Sequence, residues 1–415
     1  YLERLAASGT AFAECWSPAP WTGPSHASLF TGLRPENHGY LRENRTFLDA
    51  SAVTLAERLR DAGYRTLGIS NNPNVSRANG LDQGFDDWRE LFAPEVRPLP
   101  DVRLAGIDHE LPGELEVITY PSAAVGHGQA AAWAMERHRA QEPFLIFVND
   151  MEPHLPYVPD EDLQAAFVPE HVTETDLLWA RLFRYPVFMG HNLGVYEIGA
   201  ERIALLSHLY DAEIATLDRH LQTFLESLRF EGVLDDTIVV VTADHGENLG
   251  EHGLLDHVFS SHRTLLHVPL LVVLPPPLRD ELPAGARLGD LVRLEDVTPT
   301  LLELCGLPPL ARADGASLLR ERDGRRSWAA LDRCGEHMLR DLRELFPGAD
   351  LAPALLGQRS FTDGELHLIR HRNGREELYD LVADPREEQD LAPAGDDRLG
   401  RAREGLDEVH PRTPR

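Results

Sequence analysis

Hydroxyls and histidines crowd the stretch PAPWTGPSHASLFTGLRPENHG, Pro18 to Gly39. Thr22, Ser25, His26 and Ser28 fall where a short loop runs into a helix. Backbone N–H groups at such a helix mouth stabilise an alkoxide or a bound anion. Spacing alone leaves each hydroxyl open as a nucleophile. A second stretch, TADHGENLGEHG, directly follows a run of β-branched residues, which puts Asp244 and His245 at the carboxyl end of a strand. One oxygen ligand beside one nitrogen ligand suits a divalent cation. Gly246, Gly250 and Gly253 permit the tight turns that bring both side chains to one point. The other reading makes Asp244 a helix cap and the histidines solvated loop residues, and spacing leaves both open.

The elements that must hold these residues alternate between helices and short apolar strands. VTLAERLRDAGYRTLGIS reads as an amphipathic helix stopped by Gly63, followed by a strand over Arg65 to Ser70. EPFLIFVND holds a strand over Phe144 to Asn149, and Glu201 to Leu228 is a long amphipathic helix. Thr237 to Thr242 is so uniformly β-branched that burial on both faces is expected, as in a parallel sheet. A further strand is predicted over Val268 to Leu274 and a helix from about Val297. The opening YLERLAASGTAFAE reads as helix, with Leu2, Leu5 and Ala6 on one face and Gly9 as its stop. The alternation predicts an α/β fold with an open, mostly parallel central sheet flanked by helices, whose ligands bind beyond the carboxyl ends of the strands. Segments 90–141 and 159–199 are Pro-rich and poorly periodic, and are expected to be surface excursions shaping a cleft. From Ser327 the pattern changes: alternation around Asn373-Gly374 predicts a hairpin over 365–381. The expected organisation is a catalytic domain over 1–326 and a smaller C-terminal α+β portion over 327–415.

The chain is acidic, with a net charge of −28, and all 40 of its basic residues are arginine. No basic stripe exists to neutralise phosphates, so nucleic acid is not an expected partner. No apolar run reaches bilayer-spanning length, so no membrane is expected either. Cys15, Cys305 and Cys334 lie far apart, in no metal-ligand spacing, and read as buried thiols.

DHGENLGEHG resembles the signature of the sulfatase family, within the alkaline-phosphatase-like superfamily. TGPSHASLFTG is similar to that family's nucleophile motif, Cys or Ser-x-Pro-Ser-Arg followed by Ala-Ser-Leu-x-Thr-Gly. The likeness continues in order through PENHG, VTLAERLRDAGYRT, NDMEPHLPY, LYDAEIATLD, LLHVPLLVV, LEDVTPTLLELCGLP and GREELYDLVADPREEQDLA. It implies an alkaline-phosphatase-like fold and a metal-dependent hydrolase of sulfate, phosphate or phosphonate esters. By this resemblance Thr22 takes the nucleophile position, and Asp244 and His245 are metal ligands. His154 contacts the ester oxygens, and His257 stands where the family usually carries a substrate-binding Lys, with His252 and His262 as competitors. Asn44 resembles a substrate-side asparagine of the phosphonate monoester hydrolases, and His26 replaces an Arg that supports the nucleophile. Asn71 and Asn72 are further cleft candidates that turn chemistry explains equally well.

Two departures follow. Formylglycine is not expected, because the threonine Cβ carries a methyl group and its oxidation cannot give an aldehyde. Thr22 must then act directly, forming a covalent ester. The family also places two acidic metal ligands before a helix like LERLAASGT. The sequence opens inside that helix, so those ligands, and any export signal, are expected upstream of Tyr1; otherwise the cytoplasm is the expected compartment. All-oxygen sites in the family take Ca²⁺, whereas a histidine ligand tilts the choice toward Mn²⁺ or Zn²⁺. The alternatives are a phosphotransferase or mutase of the same superfamily, or a sulfatase-like binding protein without catalysis. The expected partner in each catalytic case is a small anionic ester.

Overall fold

Short apolar runs bounded by Gly, Pro and Asn become strands in the computed structural model of the chain, which describes residues 1–41, 47–92, 95–98, 116–119, 122–320, 324–331 and 333–410. One sheet has the order Ala286–Arg293, Thr10–Trp16, His267–Val273, Val239–Thr242. His267–Val273 alone runs against the other three strands. A second sheet, Asp87–Glu90, Arg65–Ser70, Phe144–Asn149, is parallel throughout. Phe144 and Ile146 from the second sheet pack with Val239 and Val241 from the first in one apolar cluster. Ala134 of helix Ala123–Arg139 and Leu225 and Leu228 of helix Ala200–Phe230 close that cluster. On the opposite face Leu29 of helix Thr22–Thr31 and Val297 of helix Val297–Leu304 meet Phe12 and Val268. The central sheet is therefore mostly parallel and flanked by helices.

Four features depart from the expectations above. Val239–Thr242 is only half-buried along its length, as is Phe144–Asn149. Each pairs along one edge, and among the described residues no strand borders the other; β-branched side chains report a strand's preference for packing, not whether both neighbours are present. Thr10–Trp16, TAFAECW, is a central strand that the helical reading of the N-terminus concealed, because its alanines and Glu14 blur the alternation. Gly9 does end helix Leu2–Ser8, yet with an extended φ of −123°. A Cβ there would sit 2.6 Å from the Val272 carbonyl oxygen, so close packing on the neighbouring strand excludes a side chain.

Among the described residues, both supposed surface excursions carry helices. Segment 90–141 contains helix Ala123–Arg139, whose buried stripe is Ala123, Gly126, His127, Ala130 and Ala134. Small residues at helical spacing carry little hydropathy signal but permit close helix–sheet approach. Segment 159–199 contains helices Glu161–Phe167, Glu174–Leu182 and Tyr185–Asn192. Leu177, Trp179, Leu182, Phe188 and Met189 from it are buried in a large cluster with Leu205, Leu206 and Leu209. These helices are seven, nine and eight residues long, and breaks between such short pieces hide the periodicity from a long window.

The C-terminal residues form an antiparallel meander, Ser327–Leu331, Gln358–Thr362, Leu366–His371, Glu376–Asp380. Gly374 turns its last hairpin at φ +89°, and helix Arg398–Asp407 covers one face through Leu399, Ala402 and Leu406. Cys15 and Cys334 are buried and Cys305 is half-buried, and none of the three is in a disulfide. Among the described residues no helix is long and apolar enough to cross a membrane.

One buried acid in the long helix makes stability pH-dependent. Glu213 is 2 % exposed and accepts a hydrogen bond from the Val158 amide. Burial pushes its carboxyl up to about 8 from an ordinary 4.5. Between those values the folded chain holds a proton that the unfolded chain has released, so stability falls as pH rises through this window. Glu213→Gln keeps the acceptor and removes the titration. From pH 6 to pH 8 wild type is therefore expected to lose on the order of 2 kcal/mol more than the variant in urea unfolding. Equal losses would show that Glu213 ionises freely in the folded chain.

Candidate functional site

The carboxyl end of Val239–Thr242 and the start of helix Thr22–Thr31 meet at one point. The loop that leaves the strand is pinned at Gly246, whose amide donates to the Leu265 carbonyl at 2.8 Å. A Cβ on Gly246 would lie 2.0 Å from the Thr264 carbonyl oxygen, so only glycine lets the loop pass. Ser25 Oγ donates to the Asp244 carbonyl at 2.7 Å and ties the helix to the loop. Thr22, first residue of the helix and 3 % exposed, then places Oγ1 3.3 Å from His245 Nε2.

His245 Nδ1 lies 2.9 Å from the Gly246 carbonyl. A carbonyl only accepts, so Nδ1 carries the hydrogen and the Nε2 lone pair faces Thr22. Asp244 Oδ2 lies 3.4 Å from that same Nε2 and 3.4 Å from His26 Nδ1. Burial works against a charge on Asp244, yet the imidazoles of His245, His26 and His257 outweigh it and hold the carboxyl below its usual range. Burial pushes His245 down to about 4, against the pull of Asp244, so its ring is neutral at neutral pH. A carboxylate oxygen and an imidazole lone pair facing each other at 3.4 Å repel unless a cation or proton lies between them. Ligands about 2.1 Å from one divalent ion are separated by about 3.0–3.4 Å. Asp244, His245 and the Thr22 hydroxyl thus fit a shared divalent cation by spacing and by donor type.

His257 stacks on His245 with ring centroids 4.4 Å apart, and Trp21 meets it edge-on at 5.1 Å. His154, in the loop after Phe144–Asn149, lies 5.1 Å from the His257 ring. Its Nδ1–H donates to the Leu155 carbonyl at 2.7 Å, which leaves Nε2 to present outward. His26 is 3 % exposed, with Nδ1 donating to the Thr22 carbonyl at 2.8 Å and Nε2 3.5 Å from Asn149 Nδ2. Burial pushes its pKa down. His26 stands behind Thr22 and Asp244, walled by Phe30 and Phe147.

Thr22, His26, His154, Asp244, His245 and His257 are thus brought together. Asn44 lies outside the described residues. Asn72 Oδ1 accepts from the Asn74 amide at 2.9 Å, which is turn chemistry, and the Asn71 amide donates to the Asn149 carbonyl at 3.1 Å. Ser28 Oγ meets His38 Nε2 at 3.0 Å and Thr31 Oγ1 donates to the Ala27 carbonyl, so both serve the helix interior. His252 and His262 stack on each other at 3.6 Å, beside Tyr379 of the C-terminal sheet. Glu387 joins them, but its carboxylate already accepts from the Arg263 amide and His367, and His262 Nδ1 is held by Ser260 Oγ at 2.7 Å.

Sequence reasoning missed two carboxylates. Asp256, which is buried, and Glu247, whose side chain is 5 % exposed, flank His257 Nδ1 at 3.0 and 3.6 Å. Burial and the charge of Asp256 push the Glu247 carboxyl well up. Both belong to the segment that carries Asp244 and His245, and that proximity was the available signal.

A family model described as Sulfatase matches residues 1–307. A sulfatase of Formosa agariphila is 25 % identical over 93 % of this chain and 76 % of its own. The multifunctional alkaline phosphatase superfamily protein PehA of Trinickia caryophylli is 26 % identical over 94 % of this chain and 85 % of its own. The crystal structure of the phosphonate monoester hydrolase of Agrobacterium radiobacter superposes with a TM-score of 0.71 at 21 % identity, covering 98 % of this chain and 88 % of that one.

Proposed function

The chain belongs to the sulfatase family, and from that membership we propose that it hydrolyses sulfate, phosphate or phosphonate esters through a covalent ester on Thr22. The observation that carries the reading is the Thr22 hydroxyl at a helix mouth, 3.3 Å from the His245 Nε2 lone pair. A divalent cation held by Asp244, His245 and Thr22 would acidify the hydroxyl and neutralise the ester's charge. Thr22 Oγ1 releases its proton to water and attacks the central sulfur or phosphorus in line, the bond from that atom to the ester oxygen breaks, and the alcohol departs with a proton from His154, His257 or water. Water then attacks the threonine ester, the Thr22–O bond to sulfur or phosphorus breaks, and the hydroxyl is restored. His154 and His257 face the region where charge builds on the equatorial oxygens. His26 keeps Asp244 oriented from behind.

The methyl group on Thr22 excludes formylglycine, so phosphate and phosphonate esters are the favoured substrates within the class. A panel of aryl sulfates, phosphate mono- and diesters and phosphonates is expected to show turnover fastest on a phosphorus ester. Chelation is expected to reduce that rate to background, and Mn²⁺ or Zn²⁺ to return it. Turnover of no ester under any metal would overturn the hydrolytic reading.

A further inference from the structure

We propose that Glu247, Asp256 and His257 form a second divalent-cation site, beside the Asp244–His245 pair. The three side chains are 5 %, 4 % and 7 % exposed. One ligand atom from each lies within 4.8 Å of the others. His257 Nδ1 is 3.0 Å from Asp256 Oδ1 and 3.6 Å from Glu247 Oε1. Ligands about 2.1 Å from a zinc-class ion are separated by about 3.0 Å along an octahedral edge and about 3.4 Å along a tetrahedral one. The 3.0 Å spacing equals the octahedral edge, and the 3.6 Å spacing lies 0.2 Å beyond the tetrahedral one.

Two of the three atoms that face each other lack other occupation. Glu247 Oε1 and His257 Nδ1 are both buried without a hydrogen-bond partner. Asp256 approaches His257 Nδ1 without the alignment of a hydrogen bond, since its Oδ1 is committed to the His257 amide at 2.6 Å. Two buried carboxylates converging on one imidazole can both be charged only with a counter-charge between them, because water is excluded. Backbone conformation is spent on the arrangement: Asp256 adopts φ +65°, which turns its carboxylate and the following imidazole toward the same side.

Two oxygens and one imidazole nitrogen suit Zn²⁺, Mn²⁺ or Co²⁺ better than Ca²⁺ or Mg²⁺, which prefer all-oxygen shells. Three protein ligands leave at least one coordination position open to water or an anionic ligand. With Nδ1 on the metal, His257 Nε2 remains available toward the ring of His154. The inference stands on this geometry and is independent of the hydrolytic reading.

The test strips the purified chain of metal and titrates it with Co²⁺. Bound metal after desalting and the visible d–d absorption are the two readouts. In Asp244→Asn, which removes a ligand of the other pair, one equivalent of Co²⁺ is expected to remain bound at stoichiometric concentrations. Adding Glu247→Gln or Asp256→Asn to that background is expected to remove it. No equivalent bound by Asp244→Asn, or one that survives either added substitution, overturns the proposal. Asn adopts the left-handed region as readily as Asp, so Asp256→Asn preserves the turn and decides the question if Glu247→Gln does not fold. Activity is not a readout, so failure to hydrolyse any ester leaves this result standing.

Discussion

Thr22→Ala is expected to lower kcat by roughly 10⁴-fold or more while leaving the fold intact, because removing a covalent nucleophile removes a whole reaction path. The fold should tolerate the change. Thr22 is the first residue of its helix, where its amide needs no intrahelical partner, and the lost Oγ1 contact is a single 3.3 Å approach to His245. Thr22→Val is the sharper comparison, since it keeps the branched shape in a site only 3 % exposed and deletes only the hydroxyl. Thr22→Ser keeps the hydroxyl and is expected to retain far more activity than either. Intact-mass analysis after rapid quenching should find a phosphoryl or sulfuryl group on wild type and Thr22→Ser, and on neither Ala nor Val. Full activity in Thr22→Ala would end the covalent reading, and direct attack by water would have to replace it.

The same site shows which parts of the structure a linear sequence carries. Arg65–Ser70 and Phe144–Asn149 were legible to the residue, because each is a short run punctuated by a breaker just before it, Gly63 for the first and Pro143 for the second. Asp244 and His245 were legible because the run before them places them at a strand end, and the structure brings them there. Thr10–Trp16 was not, since its place between two strands comes from long-range pairing with His267–Val273 and Ala286–Arg293, while its own residues include two alanines and a glutamate. Helix Ala123–Arg139 was hidden for a related reason, as a stripe of Ala and Gly is apolar in packing but not in hydropathy. His257 was singled out among three nearby histidines by resemblance. Only the folded loop shows why the choice matters, with His245 and His154 against its ring and Glu247 and Asp256 at its Nδ1. Spacing in sequence fixes which residues are near one another, and a positive φ at Asp256 decides which way they point.

The second large effect concerns what holds the nucleophile helix in place. Asp296→Ala is expected to destabilise the chain by about 3–5 kcal/mol, the cost of leaving buried cations without their carboxylate. Asp296 is fully buried and accepts from the Arg293 amide at 3.0 Å, Arg293 Nη2 at 2.9 Å, the Ala316 amide at 2.8 Å and Arg325 Nη1 at 2.8 Å. Neighbouring Glu295 cannot take over. It lies 3.8 Å from Arg293 Nη1, and burial pushes its carboxyl up to about 7, so much of it is neutral near neutral pH. This ion cluster supports the far end of helix Thr22–Thr31. The Asp314 and Gly315 amides donate to the Gly32 carbonyl just past that helix, and Thr298 Oγ1 donates to the Leu29 carbonyl. Asp296→Asn keeps the shape and one of the two amide bonds, which end on different carboxylate oxygens, but not the charge, so its loss should be smaller. Urea unfolding measures both. Because the damage lies at the end of the helix opposite Thr22, folded Asp296→Asn is expected to keep a kcat within a few-fold of wild type, as sites without shared partners act independently. A stability change below 1 kcal/mol in Asp296→Ala would mean that the two arginines find other partners or water, and the cluster would then be a consequence of the helix's position rather than a cause.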